Sequence, residues 1–438
     1  MILEPGRKTS DWVEAFIEYA TLRQGTPNFS LWAAIVAIST MIERKVFTRT
    51  VKGIDYALIY TIFVAKPGVG KTYTAELAID LIEEAGYMNK SPANFTRAGV
   101  VDFLVNLDHR DVKRSDLAGG YKDVGIYDQD YIIQTPCLIF APELTAMIPA
   151  YDADLIGHLT TWWDGKSYVE AKRGIKDPKQ LRNPTLSMIA CTTPGHLGRF
   201  FEGSSWEDGF LARTQLVYDN EVEFESCFAS YDSDEDPNDG RVEALRQALL
   251  HDIGIIKKYN GYARMTRETR ILMDEWIKGG EMPKPLHPKL EFYNIRRRRM
   301  LARLSIISAV SRASPEIEPY DWLRAQEWLF KTESYLDDAL IMIAGNTAQG
   351  AIINEFWHWL QKEYTRLNKI KLNDPGAKTS IPISETKIFA YLISRMPQYE
   401  IEKFLGMMVK TKMIMAAYSE ASKGMGYIPL EAPRKDQI

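Results

Sequence analysis

Ala65-Lys66-Pro67-Gly68-Val69-Gly70-Lys71-Thr72 is the stretch on which the reading of the whole chain turns. Before it runs an unbroken apolar segment, residues 57–64 (Ala-Leu-Ile-Tyr-Thr-Ile-Phe-Val), with the composition of a buried strand. After it, residues 73–84 carry apolar positions at helical spacing, and Gly86 ends them. Strand, glycine loop, Gly-Lys-Thr and helix are together the context a phosphate-binding loop requires. Gly68 and Gly70 let the backbone curl so that its N–H groups face inward, and the helix N-terminus adds positive partial charge. Lys71 then reaches the β- and γ-phosphates and the Thr72 hydroxyl is placed for Mg²⁺. Pro67, Gly68, Val69, Gly70, Lys71, Thr72 and Tyr73 are therefore expected to hold ATP with Mg²⁺. The first position of the motif is Ala65 where glycine is usual, one small residue for another.

Downstream, residues 136–143 (Pro-Cys-Leu-Ile-Phe-Ala-Pro-Glu) form a short apolar run that ends in an acid. That is the Walker B pattern, in which acids hold Mg²⁺ and orient the attacking water. Glu143 takes the catalytic-base position and is a second metal ligand with Thr72; Pro142 stands where an aspartate is usual. Next come a helix over 155–163, Asp164-Gly165, and a Lys- and Arg-rich stretch over 166–182 with the character of a hairpin. Lys166, Lys172, Arg173, Lys176 and Lys179 would let such a hairpin grip a phosphate backbone, although charge alone equally describes a solvated loop. Residues 184–194 read as a buried strand ending in hydroxyls, with Thr192 or Thr193 set for the γ-phosphate or the lytic water. Arg213, at the head of a strand over 214–218, is either a finger toward a neighbour's γ-phosphate or half of a salt bridge within its own chain.

The composition narrows the class. With 438 residues, 45% apolar and 26% charged, the chain is long enough for a large core and ordinary for a globular protein. No apolar run reaches membrane-spanning length, and the first residues lack the apolar core of a signal peptide, so a cytoplasmic location is expected. Cys137, Cys191 and Cys227 are far apart, which fits a reducing compartment and argues against a zinc site. The formal charge of −4 gives no global basic character, so any nucleic-acid surface has to be local.

Outside the central strands, the N-terminal 50 residues read as two helices, 11–20 and 31–43, the second apolar nearly all round and so buried. Residues 46–51 read as an edge strand, 52–55 as a turn, 98–107 as an amphipathic helix and 108–134 as a charged surface loop. The acidic stretch 221–240 reads as a linker, and 241–345 as helical, with four consecutive arginines at 296–299. Beyond 346, helices at 352–360, 384–396 and 399–409 precede a hairpin of 413–418 and 427–430 with a glycine-rich tip, the order of a winged helix. Residues 351–438 hold 13 Lys and Arg against 9 Asp and Glu, a local excess that suits DNA, although many winged helices bind protein.

The order of these motifs resembles the AAA+ ATPases of the pre-sensor-1 hairpin group, in particular the minichromosome-maintenance helicases and the helicase-like replication proteins of phages and mobile elements. The resemblance covers about residues 10–335. It maps the sensor-1 asparagine onto Thr193 within Cys191-Thr192-Thr193-Pro194, and the finger motif onto Ala212-Arg213-Thr214-Gln215-Leu216. The lid motif falls on Arg296, seven residues before Arg303-Leu304-Ser305, with Asp321 preceding Ala325; this makes Arg296 the sensor-2 residue. Asp164-Gly165 and Asn183-Pro184 flank the hairpin as in the phage-type proteins. The resemblance implies an α/β fold with an AAA+ core over 51–220, a helical N-terminal segment (1–50), a lid (241–345) and a C-terminal winged helix (346–438). It implies an ATP-dependent, ring-forming DNA helicase, a hexamer, with single-stranded DNA in its pore. Two other functions fit the same motifs: an ATP-switched replication initiator or loader, which the Pro142-Glu143 pair favours, and a remodeller or scaffold that does not touch DNA.

Overall fold

The computed structural model describes residues 1–50, 53–93, 96–107, 110–113, 131–148, 152–170, 179–200, 209–219, 239–285, 290–336, 348–369, 381–411, 413–419 and 424–430. The chain is α/β and divides into two compact units, Met1–Ile343 and Ala344–Ile438. No helix among the described residues is long and apolar enough to cross a membrane.

The first unit opens with α1 (Trp12–Leu22), α2 (Pro27–Ile42), β1 (Val46–Thr50), β2 (Gly53–Tyr56), β3 (Tyr60–Val64), α3 (Lys71–Glu84) and α4 (Arg97–Asn106). It continues through β4 (Arg110–Lys113), β5 (Tyr131–Ala141), α5 (Leu144–Met147), α6 (Ala153–Trp163), β6 (Tyr168–Glu170), β7 (Lys179–Leu181), β8 (Pro184–Thr192), α7 (Pro194–Phe200) and β9 (Thr214–Tyr218). It closes with α8 (Asp239–Ile256), β10 (Gly261–Tyr262), β11 (Arg264–Met265), α9 (Arg267–Lys278), α10 (Glu291–Ser311), β12 (Glu316–Ile317) and α11 (Pro319–Glu333).

Five strands form the central sheet, in the order β4-β5-β8-β3-β9. β5, β8, β3 and β9 run parallel, and β4 lies antiparallel on the outer edge. Every residue of β3, β8 and β9 is buried, as expected for parallel strands covered on both faces, whose sequences run apolar without alternation. Two expectations change here. The segment 108–134 is not simply a loop: Arg110–Lys113 pairs with Tyr131–Gln134, and residues 114–130 lie outside the described part. Polar Arg-Asp-Val-Lys carries no strand signal of its own; its partner strand supplies the ladder. Likewise β1 is the middle strand of a separate three-stranded sheet, β10-β1-β2, and the expected turn at 52–55 contributes β2.

α2 packs against the sheet, with 15 of its 16 residues buried, so its hydroxyls need partners inside the protein. Ser30 and Thr40 donate back to Thr26 and Val36 carbonyls one turn earlier, each at 2.8 Å. The Ser39 and Ser187 hydroxyls meet at 2.6 Å, tying helix to β8. The Trp32 indole N–H donates to the Thr332 hydroxyl of α11 at 2.7 Å. One apolar core runs from Trp12 to Leu336 without a break. The N-terminal helices, the sheet and the 241–345 helices are therefore layers of one body rather than separable domains.

Asp164-Gly165, at the end of α6, is a junction in that body. Gly165 has φ +68°, a left-handed conformation that glycine adopts freely. Its carbonyl accepts from the Arg44 guanidinium at 2.6 Å, and a Cβ added at Gly165 would stand 1.9 Å from an Arg44 nitrogen. Gly165→Ala should therefore cost about 2 kcal/mol, by displacing a charged hydrogen bond and straining the backbone; thermal melting of the variant measures it. β6 and β7 then pair as an antiparallel hairpin, Tyr168 opposite Leu181, which bears out its base; its tip, 171–178, lies outside the described residues.

Of the four consecutive arginines of α10, three are bound internally. Arg297 is buried and makes a two-pronged pair with Glu333 of α11, at 2.7 and 2.8 Å. Arg298 pairs with Glu281, and Arg299 pairs with both Asp55 and Asp164. Arg296 alone of the four is left half-exposed without a carboxylate partner among the described residues.

The second unit has its own core, built on Phe356, Leu360, Ile388, Leu392, Ile401, Phe404, Leu405 and Met408. Its elements are α12 (Ala348–Lys369), β13 (Ile383–Ser384), α13 (Glu385–Leu392), α14 (Gln398–Lys410), β14 (Ile414–Ser419) and β15 (Gly424–Pro429), with sheet order β13-β15-β14. β14 and β15 form the expected hairpin, paired from Ile414–Pro429 to Ser419–Gly424. Gly426 is the position where the sheet closes: a Cβ there would stand 2.6 Å from the Ile383 carbonyl oxygen.

Candidate functional site

The glycine loop joins β3 to α3 as its sequence requires. Gly68 and Gly70 have φ of +88° and +79°, a region that costs other residues about 1 kcal/mol or more. Gly70 is the N-cap of α3 and offers no side chain to cap it, so the first N–H groups of that helix stay available to an anion. The Lys71 ammonium donates to the Ala65 and Lys66 carbonyls, both at 2.9 Å. Burial, the largest influence, lowers its pKa. The loop is held from behind as well: the Thr26 hydroxyl, at the start of α2, donates to the Val69 carbonyl at 2.9 Å.

Sheet order brings the downstream motifs to this loop. Val64, the last residue of β3, lies beside Thr192, the last residue of β8. Ala190 of β8 lies beside Ala141, the last residue of β5, and Glu143 follows two residues later. The C-terminal ends of three adjacent parallel strands thus gather Lys71, Thr192, Thr193 and Glu143, the edge at which open α/β sheets bind ligands. Glu143 and Lys71 are close enough to attract each other electrostatically. Three donors surround one carboxylate oxygen of Glu143: the Thr145 hydroxyl at 3.3 Å, the Thr192 hydroxyl at 3.4 Å and His196 Nδ1 at 3.3 Å. Thr193 turns its hydroxyl to the His196 backbone N–H at 3.4 Å and so caps α7. Cys191 is buried beside Thr72 and Lys71; burial pushes its thiol up to about 12, so it is a neutral packing group.

The donor set fits a triphosphate, with two left-handed glycines, an uncapped helix start and an ammonium resting on loop carbonyls. Thr72 and Glu143 offer hard oxygen donors suited to Mg²⁺. No group of three or more His, Cys, Asp or Glu among the described residues could hold a metal alone. An ion here would therefore take its remaining ligands from phosphate oxygens and water. Tyr73 is exposed at the loop edge.

Arg213 is paired within its own chain. It is 8% exposed, donates to Asp164 at 3.0 Å and to the Gly209 carbonyl at 2.9 Å, and lies over the Trp163 ring. The reason is Asp164, which collects Arg213 and Arg299 while Arg303 and Arg299 also stack on Trp163. Burial alone would raise the Asp164 pKa, but these guanidiniums outweigh it and hold the carboxyl below its usual range. Arg296 senses Arg213, Asp164 and Arg299 electrostatically, so the two arginines share one neighbourhood. Among the hairpin cations, Lys166 is exposed and Lys179 is paired with Asp102 of α4. Lys172, Arg173 and Lys176 lie outside the described residues.

His196 and Thr26 escaped the sequence reading. The only signal for His196 is its place three residues after Thr193; for Thr26 it is Thr-Pro at a helix start. Compared with known proteins, the chain matches no family model and no curated protein.

Proposed function

We propose that the chain is an ATPase of the AAA+ kind that works on DNA as a ring of subunits. The observation that supports this best is the strand order β5-β8-β3, which sets an acid, a hydroxyl pair and the phosphate-loop lysine at one sheet edge. In this reading the loop N–H groups and Lys71 bind the phosphates, while Glu143 takes the proton of the attacking water. The water oxygen bonds to the γ-phosphorus as the bond to the β–γ bridging oxygen breaks, its electron pair leaving on ADP; the proton passes from Glu143 to solvent. Mg²⁺ bound with the triphosphate neutralises charge on the phosphate oxygens. Arg296 is the guanidinium assigned to a neighbouring subunit's phosphate, since Arg213 serves Asp164. The hairpin between α6 and β8 supports a pore contact with single-stranded DNA, and the α12–β15 unit supports a winged helix for duplex or protein.

Pro142 favours a second reading, an ATP-switched initiator that binds DNA without processive unwinding, because the loss of the usual aspartate weakens the metal site. Lys71→Ala separates these outcomes. Nucleotide affinity should fall about 10- to 100-fold, the worth of its charged hydrogen bonds, as read by fluorescent-nucleotide titration. Strand displacement by the unaltered chain that disappears in Lys71→Ala supports the translocase. DNA binding that depends on nucleotide, without displacement, supports the initiator. Binding unaffected by the substitution removes the ATPase reading altogether.

A further inference from the structure

The Glu143–His196 contact has no evident role in stability. Both side chains are open to solvent, at 41% and 45% exposure, and ion pairs of that kind contribute about 0–1 kcal/mol. Yet three structural elements converge to make it. The carboxylate starts at the end of β5, and Thr192, which also approaches its Oε1, closes β8. The imidazole stands in the first turn of α7, fixed there by Thr193, which caps its N–H with the hydroxyl while its carbonyl accepts from Leu197 N–H at 2.9 Å. Glu143 is also the acid that follows β5, with Pro142 in the preceding position.

We propose that His196 is a positioning residue for Glu143: its Nδ1–H holds Oε1, so that Oε2 is left to accept from the attacking water. This rests on the assignment of Glu143 as the general base. A carboxylate that swings freely about its side-chain torsions spends little time aligned with one water, and small misplacements at a reacting centre cost large factors in rate. The Thr145 and Thr192 hydroxyls approach the same oxygen at 3.3 and 3.4 Å, and the imidazole adds a third contact at 3.3 Å from the start of a different element. Nδ1 donates in both the neutral Nδ1–H tautomer and the imidazolium.

The test uses the full chain and three substitutions at one position. The side-chain amide nitrogen of Asn falls where Nδ1 of His lies, and that of Gln where Nε2 lies. His196→Ala should lower kcat about tenfold or more with KM for ATP within about twofold. His196→Asn should recover most of the loss and His196→Gln should not. Thermal melting of each variant separates a folding defect from a catalytic one. The proposal is overturned if His196→Ala turns over normally, or if Asn and Gln behave alike. Glu143→Gln keeps the two ideas distinct. An inactive Glu143→Gln with a normal His196→Ala removes only the positioning role, whereas an active Glu143→Gln removes the base and the positioning role together.

Discussion

Asp164→Ala should destabilise the first unit by about 3 kcal/mol. Removing one partner of a buried ion pair leaves the other charge uncompensated, which typically costs about 3–5 kcal/mol. The lower end applies, because Arg299 is 30% exposed and keeps Asp55. Arg213, by contrast, would be left at 8% exposure with one carbonyl for company, and the stacked Arg303 beside it is fully buried. Asp164→Asn refines the result through pH. The folded-state pKa of Asp164 is depressed, so its contribution is complete above the unfolded value of about 3.9 and disappears as pH falls through the folded value. The gap in stability between the unaltered chain and Asp164→Asn should be constant from pH 8 to about pH 5 and close below pH 4. Urea denaturation followed by tryptophan fluorescence reads both. A gap that persists in acid would assign Asp164 a packing role instead.

If the chain is the ATPase proposed, Glu143→Gln should lower kcat by about 10²–10⁴, the range for loss of a positioned general base, while leaving nucleotide affinity within a few fold. The amide keeps the size of the carboxylate and can still meet the Thr145 and Thr192 hydroxyls, but it cannot take a proton from water. The paired measurement is phosphate release at saturating ATP beside a nucleotide-binding titration. Because Pro142, the preceding residue, supplies no second carboxylate, the drop should lie toward the upper part of that range. A fall of less than tenfold would mean that proton transfer is not handled here.

The glycine loop was legible in the sequence because its requirements are local: two glycines with positive φ, a lysine, and a strand and helix on either side. Glu143 and Thr193 were legible for the same reason, each as the polar end of a buried apolar run. What joins them was not. The pairings Ala141–Ala190 and Val64–Thr192 connect distant segments, and no periodicity within one strand specifies its neighbour. Arg213 shows the limit most clearly. Its position at the head of β9 is visible in the sequence, but its partner Asp164 is 49 residues away, and only the packing of α6 against the sheet decides between neighbour and self. β4 was missed because its four residues are nearly all charged. The hairpin was legible at its base, where Gly165 and Asn183 both adopt left-handed backbone (φ +68° and +41°).

The hydrogen bond from Thr26 to Val69 links the glycine loop to α2, 15 of whose 16 residues are buried. α2 belongs to the one continuous core, so an opening of the loop at its rear edge is not a local fray but a disturbance at the root of that helix. If the loop binds nucleotide as proposed, its binding free energy would be shared across Met1–Ile343 as one cooperative unit. A ligand at one hundred times its dissociation constant stabilises such a unit by about 2.7 kcal/mol. The whole body, sheet and 241–345 helices included, would carry that gain as a single melting transition, so occupancy of a surface loop is registered as rigidity throughout.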